Sequence, residues 1–145
     1  MEIIGEIKSQ RVTELFRKLI ANGQDTRPAM QSIAQMMLES VRQNFESEGR
    51  PVKWKPWKDA TRKARARRGT VGGKILRDRG DLARSVVSKY SAHEAVVGSS
   101  LPYALTHDQG DADRGIPQRE FMLFQKEDII EAEAILTRRL MRGVK

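Results

Sequence analysis

The chain has 145 residues, of which 39% are apolar and 32% charged, with a net charge of +8 and no cysteine. A chain of this length most often forms one domain with a real core, so residues 1–145 are expected to fold as a single unit. The missing cysteine excludes disulfide and thiolate chemistry. No apolar run approaches the ~18 residues needed to span a bilayer and no signal-peptide core opens the chain, so the expectation is a soluble product of a reducing cytoplasm with no membrane partner.

In chain order, Glu2–Ile7 is short, β-branched and partly alternating, which predicts a strand. Val12, Leu15, Phe16, Leu19 and Ile20 recur at helical spacing and predict a first amphipathic helix, stopped at Asn22-Gly23. A second helix is expected from Asp25 or Thr26, either of which can cap it, with Pro28 in the first turn, where its missing N–H costs nothing. Its inner face carries Ile33, Met36, Met37, Val41, Asn44 and Phe45, and Gly49-Arg50-Pro51 ends it. Residues 52–75 lack a clean period and predict a long basic loop, anchored on the body by Trp54 and Trp57, with a short basic helix from Asp59 to Arg68 and a flexible Gly69–Gly73 tip. Leu82–Tyr90 and Glu94–Gly98 predict an antiparallel strand pair, and Phe121–Phe124 is an apolar run of strand length. The last helix is expected over Lys126–Met141, with Ile129, Ala132, Leu136 and Leu140 inward and Ile130 and Ala134 widening the face. Acids early and arginines late in that helix complement its dipole. The fold class that follows is α+β, a small antiparallel sheet packed against amphipathic helices.

The positive charge is local. Between Arg50 and Tyr90 fourteen cations face three acids, +11, while the rest of the chain has thirteen cations and sixteen acids, −3. Such a segment attracts phosphate or acidic protein surfaces. Arg62, Lys63, Arg65, Arg67 and Arg68 are its densest run and the candidate partner-binding residues. On a helix, Arg62, Arg65 and Arg68 share one side and repel each other unless a polyanion or an acidic surface faces them. A solvated tip, an acidic protein contact and a DNA contact all remain open for this run.

Catalytic patterns fail on spacing. A phosphate loop ending at Gly73-Lys74 needs a glycine where Arg68 stands and a hydroxyl where Ile75 stands. A calcium loop from Asp111 puts Gly115 and Met122 at ligand positions, so Asp108, Asp111 and Asp113 are read as a solvated acidic loop. His93 and His107 have no metal-ligand cluster around them. His107 is read as a histidine that satisfies buried backbone groups beside a turn. Ser99 and Ser100 lack the elbow that exposes a nucleophile. Neither an enzyme nor a cofactor is expected.

What remains is an ordered series of short motifs. They are Trp54-Lys55-Pro56; Asp78, Gly80 and Leu82 with Ser85; Gly98-Ser99; Pro102-Tyr103-Ala104; His107 with Gly110; and Pro117, Arg119 and Phe121. In this order and spacing the chain resembles the phage virion morphogenesis family, the tail-completion proteins of contractile-tailed phages and prophages. It departs from the usual Gln-Phe-Gly at Asp108-Gln109-Gly110, and Glu120 replaces a second proline. The resemblance implies a structural protein that completes the tail or joins it to the head in virions assembled in the bacterial cytoplasm. Its expected partners are tail and head-neck proteins and further copies of itself in a head-to-tail ring, with DNA within reach at the junction. A small basic nucleic-acid-binding module is the alternative; it lacks a convincing recognition helix or aromatic platform.

Overall fold

The computed structural model describes residues 1–69, 73–76 and 80–143. Among them, in chain order, are β1 (Ile3–Gly5), α1 (Gln10–Ala21), α2 (Arg27–Glu46), α3 (Asp59–Arg68), α4 (Asp81–Ser85), β2 (Val87–Tyr90), β3 (Ala95–Ser99), α5 (Ala104–Gln109) and α6 (Lys126–Arg142). The sheet order is β1-β3-β2, antiparallel throughout, with Ile3 opposite Ser99 and Val87 opposite Gly98. The class is α+β.

Two helices form as their stripes predict. In α1, Leu15 and Leu19 are buried, Val12 and Phe16 pack at the margin, and Ile20 is half exposed at the edge of the stripe. Ser9 caps α1, its Oγ accepting from Val12 N at 3.2 Å. At α2 it is Asp25 that serves the first turn, accepting from Arg27 N at 3.1 Å. Thr26 instead donates to Ala92 O at 2.6 Å and ties the helix start to the turn between β2 and β3. α2 is the central helix and packs on β2, β3 and α6, while α6 also packs along α1. On α6 Ala132 and Leu136 are fully buried, but Ile130 is 55% exposed. Ile135 and Leu140 pack against the core, so the inner face is rotated away from the Ile130 side.

Two strand expectations are corrected. Leu82 is not in a strand: Asp81–Ser85 is a single helical turn entered through Gly80, whose φ of 77° suits glycine. The turn lets Leu82 and Val86, four apart, both point inward (4% and 3% exposed). Phe121–Phe124 is not a strand either. Phe121 and Met122 are consecutive and both buried, whereas a pleated strand would turn one of them outward. Side chains take over the role of a neighbouring strand there, as described below.

Gly98 shows why one motif glycine is a glycine. A Cβ there would stand 2.6 Å from the Ile3 carbonyl oxygen across the β1–β3 pair, a contact that backbone must move to relieve. Gly98→Ala is expected to cost about 1–3 kcal/mol, by analogy with other overpacking substitutions. Amide exchange checks it: β1 amides should lose protection before those of α2.

Candidate functional site

Among the described residues, several motif segments spread from Trp54 to Phe121 are joined by direct contacts. Trp54 is buried, packed edge-on against Phe45 with centroids 5.8 Å apart, and its Nε1 donates to Glu120 O at 3.1 Å. In the reverse direction Arg119 donates from Nε and Nη2 to Lys55 O (3.1 and 2.9 Å) and from Nη2 to Pro56 O at 3.2 Å. The Trp-Lys-Pro segment and the Pro117–Phe121 segment are thus stitched together. Arg119 N donates to His107 O at 2.9 Å, which brings α5 into the same cluster.

Gly110 permits this approach. Its φ is 78°, and a Cβ there would lie 2.7 Å from Gln118 N. Ser85 and Ser99 share a hydrogen bond at 2.6 Å, and Ser99 Oγ accepts from Leu101 N, so both motif serines fix the turn that leads into α5. Ala104 is fully buried and Phe121 packs on Phe45 at 5.0 Å, whereas Pro102 and Tyr103 are exposed. Asp78 lies outside the described residues, as does part of the expected Gly69–Gly73 tip.

Two polar residues hold the Phe121–Leu123 backbone. Asp108 is 2% exposed, and its Oδ1 accepts from Phe121 N (3.0 Å) and Met122 N (2.9 Å). It is therefore a buried anchor and not part of a solvated acidic loop. Asn44, fully buried, donates from Nδ2 to Phe121 O (2.7 Å) and Leu123 O (2.9 Å) and accepts from Arg50 Nε at 2.8 Å. Asn44 is legible in the sequence as a polar residue on an inner helical face. Asp108 has a fainter signal: it falls four residues after Ala104, on the face α5 buries.

The candidate basic run divides. Asp59–Arg68 is helical, and Arg62, Lys63, Arg67 and Arg68 are exposed on it. Arg62 makes a solvent-exposed ion pair with Asp59 at 3.7 Å. Arg65 turns inward instead. It is 5% exposed, with its guanidinium 4.1 Å from the centroid of the half-buried Trp57 ring. Arg65 therefore seats the helix on the body and presents the other cations outward.

Beneath α3 lies a cleft of about 470 Å³, lined in part by Trp57, Arg65, Leu82, Tyr103, His107 and Arg119. His107 does not satisfy backbone groups with its ring as expected. Its Nδ1 is buried with no hydrogen-bond partner among the described residues, and the ring meets Tyr103 edge-on at 6.0 Å. Burial, and secondarily the Arg119 charge, lower its pKa below the usual 6.5. The unfolded chain then binds the proton more readily, so the His107 contribution to stability is full above pH 6.5 and is lost as pH falls below it. Thermal melts at pH 7.5 and 5.5 should show the wild type losing more stability on acidification than His107→Gln; equal losses would refute this assignment.

Backbone-gripping polar residues, two stitched segments and an outward cationic helix make up the site. The chain belongs to the phage virion morphogenesis family, whose sequence model matches residues 7–141. It is 37% identical to Mu-like prophage FluMu G protein 2 of Haemophilus influenzae over 125 residues, covering 83% of this chain and 82% of that protein. It is 34% identical to the putative capsid assembly protein G of Escherichia phage Mu over 103 residues, covering 65% of this chain and 66% of that one. No solved structure matches it. The protein is thus a structural component of bacteriophage or prophage virion morphogenesis.

Proposed function

We propose that this protein completes the phage tail or joins it to the head, acting by protein–protein contact without catalysis, on virions assembled in the host cytoplasm. The observation that carries the reading is the cationic face of α3. Arg62, Lys63 and Arg67 are exposed there, on a helix pinned to the body through Arg65 and Trp57. Such a face is pre-oriented for an acidic surface, and pre-orientation lowers the ordering cost of binding. The −3 charge of the remaining chain lets a second copy supply part of that surface, which supports head-to-tail assembly into a closed ring. Chemistry needs no group in this assignment, and no helix among the described residues is long and apolar enough to cross a membrane.

The triple variant Arg62→Glu, Lys63→Glu, Arg67→Glu tests it in a prophage lacking its own copy. The substitutions lie on the surface, so folding should change by no more than about 0.5 kcal/mol per site, while electron micrographs should show separate heads and tails. Normal joining by the variant would remove α3 from the contact. DNA binding is the competing outcome. A gel shift whose log affinity falls linearly with log salt, with a slope matching several phosphates, would assign the same face to nucleic acid.

A further inference from the structure

The cleft under α3 has a chemistry distinct from the exposed face above it. Its lining combines apolar Leu82, Ile116 and Pro117 with Lys58, Arg65 and Arg119. Asp81 is the one carboxylate in that lining among the described residues, and it is paired with Arg84 at 2.6 Å. Arg119, 9% exposed, gives its hydrogen bonds to the neutral carbonyls of Lys55 and Pro56, and no carboxylate pairs with it among the described residues. Burial and then the charge of Arg65 lower its pKa, so the cleft holds guanidinium charge in a place that disfavours it. The same wall carries the His107 ring, whose buried Nδ1 has no hydrogen-bond partner among the described residues. A buried polar atom left unpaired costs free energy that a ligand can recover by bonding to it.

We propose that this cleft is a docking pocket for an acidic peptide segment of a partner protein, taking one carboxylate beside an apolar side chain. The proposal deepens the tail-joining reading and rests on it only for the identity of the partner as a virion protein. The carboxylate would lie against Arg119 and His107, and the neighbouring apolar side chain against Leu82, Ile116 and Pro117. A volume near 470 Å³ lies within the range of small-ligand pockets. Nucleic acid fits this place poorly. Its phosphates lie on a broad charged backbone that is met by exposed cations, whereas Arg65 and Arg119 are recessed at 5% and 9% exposure. A short side chain entering the cleft can reach Arg119, and an apolar lining gains nothing from a sugar–phosphate chain.

The test is nitrogen-15 NMR of the full chain, following the Trp57 indole and His107 imidazole signals. The probes are acetyl-Glu-Leu-Asp-Leu-Glu-amide, its uncharged analogue acetyl-Gln-Leu-Asn-Leu-Gln-amide, inorganic phosphate and a twelve-nucleotide DNA duplex. The acidic peptide should shift both signals saturably, with the analogue weaker by at least about tenfold because the charge-assisted hydrogen bonds are lost. Arg119→Lys should weaken the peptide about tenfold by losing the planar fork, and Arg17→Gln on the exposed side of α1 should not. If Arg119→Lys fails to fold, His107→Gln carries the comparison. Equal binding of the two peptides, or phosphate or the duplex moving the same signals as far as the acidic peptide, overturns the proposal. So does a peptide that shifts only the outer face of α3. Those outcomes leave the joining assay of the α3 variant unaffected, and a negative joining assay leaves the peptide titration intact, so the two readings fail separately.

Discussion

Replacing Asp108 with alanine is expected to destabilise the fold by about 2–4 kcal/mol, because two buried backbone N–H groups lose their acceptor together. Phe121 N and Met122 N both donate to one carboxylate oxygen, in a place where no neighbouring strand offers a carbonyl. Against a typical total of about 5–15 kcal/mol this is a large share. Asp108→Asn keeps an oxygen able to accept both bonds and should cost only about 1 kcal/mol. Urea unfolding at constant m-value separates the two. If alanine and asparagine shift the midpoint equally, the oxygen is not what holds the segment.

The second large effect belongs to Asn44. Its amide grips the same segment from the other side, at Phe121 O and Leu123 O, and its oxygen accepts from Arg50. Asn44→Ala leaves two carbonyls short of a donor, removes an acceptor from a guanidinium and opens a small void, at an expected cost of about 3 kcal/mol. Arg50 also donates to Ser40 O at 2.8 Å and Gln43 Oε1 at 2.9 Å, so it stays anchored when Asn44 is lost. Because both residues restrain one stretch of backbone, the Asp108→Ala, Asn44→Ala double variant should cost less than the sum of the singles, with a coupling of about 1 kcal/mol. Strict additivity would show that the two grips act on separate parts.

The same pair explains where the sequence could and could not be read. The α1, α2 and α6 helices are legible because packing against a core imposes a period on their own residues, and Leu15, Leu19, Val41, Phe45 and Leu136 display it. The sheet partners β2 and β3 are legible from their β-branched content and the short turn between them. Phe121–Phe124 misleads because its composition is that of a strand, while its hydrogen-bond partners are side chains 13 and 77 residues away for Phe121. Nothing in a local window distinguishes a backbone paired by a strand from one paired by Asp and Asn. Leu82 misleads for a similar reason: one helical turn has no room to show a period. Among the candidate residues, the outward positions of Arg62, Lys63 and Arg67 follow from a basic helix. The inward turn of Arg65 depends on Trp57, and only their packed arrangement reveals it. The order of the motifs is visible along the chain, but the contacts that join their described residues are a property of the fold.

The pairing of β1 with β3 and of α1 with α6 has a consequence for synthesis. β1 finds its partner in β3, and α1 packs along α6, so the earliest apolar stripe is buried by the latest helix. From Gln10 to Lys126 the ribosome must add 116 residues, which takes roughly 6–25 seconds at typical bacterial and eukaryotic rates of translation. During that interval Leu15 and Leu19 have no native cover. The nascent polypeptide should therefore engage a holding chaperone early and leave it only once α6 has emerged, and shortening the message before α6 should leave the product in the insoluble fraction.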